Sequence, residues 1–143
     1  MNVAKVDYEM KKFNEENVEL MISDLKFNVD GYLITMTKPS LLNVALIGNF
    51  AEFANRYSII CFSETELNLI MLSRINSKKV TEVIKIDRSE ISKMKLSNVL
   101  ISYMLDIVQG ESTMKFQVYK SVAKFTKIKA SIELFKKCTI WVL

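Results

Sequence analysis

The sequence contains no histidine, and this removes the side chain most often used as a general base near neutral pH and a common metal ligand. Ser-His-Asp catalysis, Cys-His catalysis and the common zinc sites are therefore excluded. Glycine occurs only at positions 31, 48 and 110, so the chain holds neither a Gly-x-Gly-x-x-Gly motif nor a P-loop. Asp87 and Glu90 flank a turn as ordinary charged turn residues do, rather than as a catalytic pair. We predict a non-catalytic protein with no cofactor and no metal site.

Cysteine, proline and long apolar runs are also scarce. Cys61 and Cys138 are far apart in the chain, and we expect free thiols that serve as small core residues. The N-terminal residues carry scattered charges and no apolar run of signal-peptide length. The most apolar stretch, LLNVALIGNFAEFA (41–54), is shorter than the roughly 20 residues that span a bilayer. These features predict a cytoplasmic protein without a transmembrane segment.

The first third of the chain has a mainly helical pattern. An amphipathic helix is predicted over residues 14–26, with Asn14 as its N-cap, and GYLITMT (31–37) has the pattern of a short strand. After Pro39, residues 40–54 are apolar on nearly every side of a helix. Such a helix is either packed between the first helix and a sheet or held open for a partner. The residues that would form this interaction surface are Leu42, Leu46 and Phe50.

From residue 57 the apolar pattern changes to that of strands with short connections, which require antiparallel neighbours. The pattern predicts a six-strand meander over residues 57–62, 67–73, 80–86, 92–96, 99–108 and 113–119. One face of 99–108 carries Val99, Ile101, Tyr103, Leu105 and Ile107, and one face of 113–119 carries Met114, Phe116 and Val118. We expect Phe116 and Val118 to be buried together with Phe125, Ile128 and Ile132. A helix is predicted over 121–137, because Val122, Phe125, Ile128, Ile132 and Phe135 recur at spacings of three and four. The tail CTIWVL then places Ile140 and Trp141 where nothing obvious covers them, and they complete the candidate interaction surface.

The segment VIKIDRSEISKMKL (83–96) resembles a pattern found in bacterial pleckstrin-homology (PH)-like domains: a strand that ends in an acidic turn, then Ser/Asp-Glu-Ile, then a strand that begins with basic residues. The matching residues are Val83, Ile84, Ile86, Glu90, Ile91 and Leu96. The resemblance covers residues 56–137. It implies an α+β, mainly β fold, in which a PH-like antiparallel meander or partly open barrel is capped by a C-terminal helix. Residues 56–143 would form this domain, and residues 1–55 a helical N-terminal extension packed on it.

For function, the resemblance implies a binding or scaffolding module that contacts other proteins or assembles with itself through sheet edges. It does not extend to phosphoinositide binding, because Glu64 and Glu66 stand where lipid-binding members carry basic residues around the first hairpin. The tryptophan of the eukaryotic C-terminal helix is also missing, so Phe125, Ile132 or Phe135 would take over its packing.

Charge is unevenly distributed along the chain. Residues 1–77 carry a net charge of −3 and residues 78–143 a net charge of +7. This asymmetry favours an anionic partner, either nucleic acid or an acidic membrane surface, as the alternative function. The alternative interpretation is a solvated lysine-rich face, and the presence of only three arginines argues against nucleic acid. The candidate anion-binding residues are Lys93, Lys95, Lys115, Lys120, Lys124 and Lys127.

Overall fold

The computed structural model describes residues 2–38 and 55–142, and for Ile140–Val142 it describes the backbone alone. These residues form nine strands and two helices. In chain order they are β1 (Asn2–Glu9), α1 (Glu15–Asp24), β2 (Gly31–Lys38), β3 (Tyr57–Phe62), β4 (Glu66–Leu72), β5 (Lys79–Asp87), β6 (Lys93–Val99), β7 (Ser102–Gln109), β8 (Ser112–Tyr119), α2 (Ile128–Lys136) and β9 (Ile140–Val142).

All nine strands belong to one open sheet with the order β1-β5-β4-β3-β2-β8-β7-β6-β9, in which only the β6–β9 pair is parallel. The expected α+β, mainly β class is confirmed. The single six-strand meander is wrong, because β5 and β6 are not neighbours. The chain forms two meanders, β2–β5 and β6–β8, and β2 pairs with β8 to join them. A 3-10 turn over Arg88–Glu90 lies between β5 and β6. It interrupts the extended backbone, so these two strands do not form a tight hairpin.

The N-terminal helix is confirmed at Glu15–Asp24, and the Asn14 side chain accepts a hydrogen bond from the Asn17 backbone N–H at 2.9 Å, as an N-cap does. The prediction of a helical N-terminal extension is wrong for residues 2–38, because this part of the chain contributes two strands as well as the helix. The strand β1 lies at one sheet edge, and β2 lies between β3 and β8 in the middle of the sheet. Its residues Tyr32–Thr35 are all buried, so β2 contributes to the core of the sheet.

The two faces of the β2–β5 meander are covered by different helices. Tyr32 is paired with Cys61, so Phe62 must lie on the opposite face from them. The Tyr32 hydroxyl donates to Glu19 of α1 at 3.3 Å, while the Phe62 ring contacts Phe135 of α2 with a centroid distance of 4.9 Å. Because a helix packs on each face of this meander, both faces of β3 and β4 are buried. This explains why their sequences are continuous apolar runs.

Only one face of the β6–β8 meander is buried, and its sequence alternates accordingly. Met114, Phe116 and Val118 point into the core, as predicted. The face predicted for residues 99–108 is buried at Leu105 and Ile107 and half-buried at Tyr103. It is wrong at Val99 and Ile101, which are exposed, because residues 100–101 form a turn rather than the beginning of a strand.

The C-terminal helix is shorter than predicted. Residues 121–127 are not helical, because Lys124 adopts φ +67°, outside the helical region, and α2 begins only at Ile128. Phe125 therefore does not join Phe116 in the core but lies half-buried against Phe13, with a centroid distance of 5.5 Å.

The backbone of the C-terminal tail is paired rather than free. Ile140–Val142 forms the parallel strand β9 beside Lys95–Ser97. Both cysteines are free thiols, as predicted. Cys61 is a core residue, whereas Cys138 is only half-buried.

Candidate functional site

The turn between β6 and β7 places three large aliphatic side chains in water. Val99, Leu100 and Ile101 are 46%, 90% and 86% exposed, and we call them the hairpin tip. Leu100 has φ +49°, in the left-handed region that aliphatic residues rarely adopt. Lys120 Nζ donates to the Leu100 carbonyl at 2.7 Å and to Asn98 Oδ1 at 2.5 Å, and these bonds hold the turn in this conformation.

An apolar groove of about 370 Å³ lies beside the hairpin tip. It forms where the residue before the α1 N-cap meets β2, β3 and β8, and its principal lining residues are Phe13, Ile34, Tyr57, Tyr119 and Val122. The rings of Tyr57 and Tyr119 are 6.2 Å apart between centroids. Burial, and secondly the neighbouring Tyr57, raise the pKa of Tyr119 above its ordinary value, so this wall of the groove stays uncharged at neutral pH.

The hairpin tip and the apolar groove are adjacent. Ser102, which directly follows the tip, is the register partner of Tyr119 in the groove wall. No tip residue lines the groove, so the tip of a chain does not fill its own groove. Sequence reasoning missed both features. It assigned Val99 and Ile101 to the same strand face as Leu105 and Ile107, because their spacing continues the alternation of those residues.

The six candidate anion-binding lysines lie in separate places. In the sheet, Lys95 and Lys115 are both register partners of Asp106, and Lys115 Nζ lies 3.0 Å from its carboxylate. Lys93 is two residues from Lys95 on the same side of β6. Lys120 is held at the hairpin tip, where its ammonium lies 4.8 Å from the centroid of the Tyr103 ring.

Lys124 and Lys127 lie beside the acidic start of α1. Lys127 Nζ is 2.6 Å from Glu19 Oε1, and this hydrogen bond raises the Lys127 pKa. Glu15 accepts hydrogen bonds from the backbone N–H and the hydroxyl of Thr126, and both bonds lower its pKa. The structure therefore does not gather the six lysines into one basic surface.

A second cleft of about 400 Å³ combines basic side chains that the sequence had not grouped. We call it the basic cleft. It lies between the β5–β6 connection and the end of α2, and its lining includes Arg88, Ser92, Lys93, Lys137 and Thr139. Only Lys93 was predicted. The basic residues in RSEISK and in KKCT were a usable signal, but nothing local indicates that these segments, about fifty residues apart, meet.

Within the basic cleft, the hydroxyl oxygen of Thr139 is buried without a hydrogen-bond partner among the described residues. Leaving a buried hydroxyl unpaired costs about 1–3 kcal/mol, so an acceptor at this place would stabilise the protein. Arg88 is held by its own contacts, since it donates to the carbonyl oxygens of Ser63 and Cys138, each at 3.3 Å.

Only part of the predicted interaction surface lies among the residues that the structure describes. Leu42, Leu46 and Phe50 lie outside the described residues, as does the predicted helix over 40–54. Ile140 and Trp141 are placed by their backbone at the β6 edge. In residues 2–38 and 55–142, no three acidic or cysteine side chains come together as a metal site would require.

Comparison with known proteins does not assign the chain to a family. No protein-family model matches this sequence, and no curated protein matches it. Neither helix of the described residues has the length and apolar character needed to cross a membrane.

Proposed function

We propose that this protein is a non-catalytic, PH-like binding module that self-associates, with the hairpin tip of each copy seated in the apolar groove of the other. The observation that carries the proposal is that one chain has both an exposed apolar tip and an apolar groove next to it. A two-fold pair uses one patch twice, so a tip and a groove on the same patch suit a reciprocal contact.

The PH-like part of the proposal is supported by the topology. Two antiparallel meanders, β2–β5 and β6–β8, are joined through β2 and β8 and followed by one C-terminal helix. The resemblance likewise implies antiparallel strands capped by a C-terminal helix, although in one meander rather than two. The PH-like unit then begins at β2 rather than at residue 56. The strand β1, the helix α1 and the parallel strand β9 are additions to it.

The energetics favour a reversible dimer. Burying Leu100 and Ile101 in both copies gives four aliphatic side chains, which contribute roughly 6–12 kcal/mol at about 1.5–3 kcal/mol each. Association costs about 4–15 kcal/mol in lost translational and rotational freedom. These terms are of similar size, so the contact alone yields a weak pair that forms as concentration rises. Other surface buried around it would strengthen the pair.

Complementation of two variants tests the proposal. Replacing Leu100 and Ile101 with Ser removes the tip, and Val122→Asp places a charge in the groove. By sedimentation velocity, each variant alone should be monomeric where the unmodified chain forms dimers. An equimolar mixture retains one intact tip and one intact groove, so it should form a heterodimer that is weaker than the unmodified dimer, because only one of the two contacts remains.

Ile75→Ser is the matched control, since Ile75 is 97% exposed in the β4–β5 turn and lines neither site. It should leave dimer formation unchanged. An unmodified chain that stays monomeric at the highest attainable concentration would overturn the proposal. A mixture that associates no more than either variant alone, even at the highest attainable concentration, would reject the tip-in-groove geometry. Tip-dependent binding to lipid vesicles by a monomeric chain would identify a membrane as the occupant instead.

A further inference from the structure

We propose that the basic cleft binds a phosphate monoester group through Arg88, Lys93 and Lys137, with Ser92 and Thr139 as hydroxyl donors. This site shares no residue with the hairpin tip or the apolar groove, and so it goes beyond self-association. Its location, between the β5–β6 connection and the end of α2, brings together segments from two distant parts of the chain.

The charge of the cleft suits a dianion. Its described lining residues include one arginine and two lysines and no carboxylate. Among the described residues, neither Lys93 nor Lys137 has a carboxylate within salt-bridge distance, in contrast to the paired Lys127. Glu90, on the neighbouring 3-10 turn, accepts from the Asp87 backbone N–H at 3.3 Å and does not line the cleft. Cations that face a cleft without acidic partners attract a phosphate group strongly.

Arg88 is oriented before any ligand arrives. The contacts of its two Nη atoms with the Ser63 and Cys138 carbonyl oxygens fix the guanidinium plane. A guanidinium has five N–H donors, so two carbonyl contacts leave donors for a ligand. A planar group that is already oriented loses less freedom when it binds phosphate than a mobile lysine does.

The two hydroxyls supply the independent argument. Thr139 lines the cleft, and its Oγ1 is buried with no partner among the described residues. Ser92 Oγ accepts from the Gly110 backbone N–H at 3.0 Å, which leaves its own hydrogen to donate. Oxygens of a phosphate group can accept directly from Ser92, and from Thr139 once a ligand reaches its buried oxygen. Buried hydroxyls are normally hydrogen-bonded, so Thr139 has a donor to offer.

Cys138 gives a direct readout, because it lies on the cleft wall and the other cysteine is inaccessible. Burial raises the pKa of the Cys61 thiol well above its usual range, so Cys61 does not compete for an alkylating reagent. The full chain is alkylated at constant pH and ionic strength with inorganic phosphate, glycerol phosphate or chloride. Both phosphates should slow alkylation of Cys138 by about fivefold or more, because a bound group blocks access to the thiol.

Vesicles distinguish the two sources of a phosphate monoester. If vesicles containing phosphatidic acid slow the alkylation of Cys138 and phosphatidylcholine vesicles do not, the ligand is a lipid headgroup that can reach the cleft. Slowing by the free phosphates alone identifies a dissolved ligand. If none of the phosphate probes slows alkylation, the proposal is overturned.

Variants separate site binding from general charge. The pair Lys93→Gln and Lys137→Gln, both exposed, should abolish the protection, and Thr139→Val should weaken it, with melting curves showing that the variants fold. Lys78→Gln with Lys129→Gln removes the same charge outside the cleft and should keep the protection. Equal protection in all variants would overturn the site. None of these changes touches the tip or groove, so dimer formation reports separately on the proposed function.

Discussion

Arg56 and Glu82 form an ion pair that is largely withdrawn from solvent. Arg56 Nη2 lies 3.0 Å from Glu82 Oε2, and the two side chains are 10% and 22% exposed. Arg56 also donates through Nε to the Leu72 carbonyl oxygen at 2.9 Å. One side chain therefore links the start of β3 to the end of β4 and to β5.

Removing one partner of this pair should destabilise the fold. Glu82→Ala leaves a buried guanidinium short of its acceptor, so we expect a loss of about 1.5–3 kcal/mol in the free energy of unfolding measured with urea. Glu133→Ala is the matched control, because Glu133 pairs with Lys136 at the surface and should cost less than about 1 kcal/mol. Equal losses in the two variants would show that the Arg56 pair is not structural.

Gly31→Ala should be destabilising because of space rather than backbone conformation. A Cβ at this position would lie 2.7 Å from Cζ of Phe62, whose buried ring is packed against Phe135. Overpacking of this kind costs about 1–3 kcal/mol. The loss should be smaller in a Phe62→Leu background, where the ring is gone. The same loss in both backgrounds would rule out the clash as its cause.

Replacing Phe135 or Phe125 with Ala should lower the free energy of unfolding by different amounts. Phe135 is fully buried, so Phe135→Ala should cost about 3–5 kcal/mol. Phe125 is half-buried against Phe13, and Phe125→Ala should cost about 1.5–3 kcal/mol. Chemical denaturation of both variants checks this order. A loss for Phe125→Ala as large as that for Phe135→Ala would place Phe125 in the main core.

Acid should weaken the contact between α1 and the segment before α2. The backbone N–H and hydroxyl of Thr126 hold the Glu15 pKa below its ordinary 4.5. A lowered pKa means that the stabilisation is fully present above about 4.5 and is lost as the pH falls through the folded value. An NMR titration of the Glu15 carboxyl should show the lowered pKa, and Thr126→Val should raise it. No difference between the two proteins would contradict this assignment.

Leu100→Asn should stabilise the monomer while weakening self-association. Asn tolerates the left-handed backbone of Leu100, where an aliphatic residue loses about 1–2 kcal/mol, so the melting temperature should rise. The same change removes an apolar group from the hairpin tip, so sedimentation should show less dimer. A more stable variant that dimerises as well as the unmodified chain would show that Leu100 is not part of the contact.

The fold class and several elements followed directly from local patterns. Alternation predicted the buried face of Met114, Phe116 and Val118, and continuous apolar runs predicted β3 and β4. Asn14 predicted the start of α1. These patterns succeed because the period of a strand or helix and the chemistry of a cap are properties of residues close together in the chain.

The candidate sites were predicted much less well. Of the basic cleft, only Lys93 was predicted, because Arg88 and Thr139 become neighbours only when the β5–β6 connection meets the end of α2. The hairpin tip was assigned to the start of a strand, since alternation does not reveal that Leu100 adopts a turn conformation fixed by Lys120.

By itself, the sequence determined the absence of histidine chemistry, the mainly β class and the inward face of β8. Only the tertiary structure decided that β2 lies between β3 and β8, that the tail pairs with β6, and that the tip lies beside the groove. The physical reason is that local spacing sets the backbone conformation and the face that a residue occupies. The choice of strand partner depends on the apolar surface and hydrogen bonds that distant segments bury together, and a local pattern does not specify which segments these are.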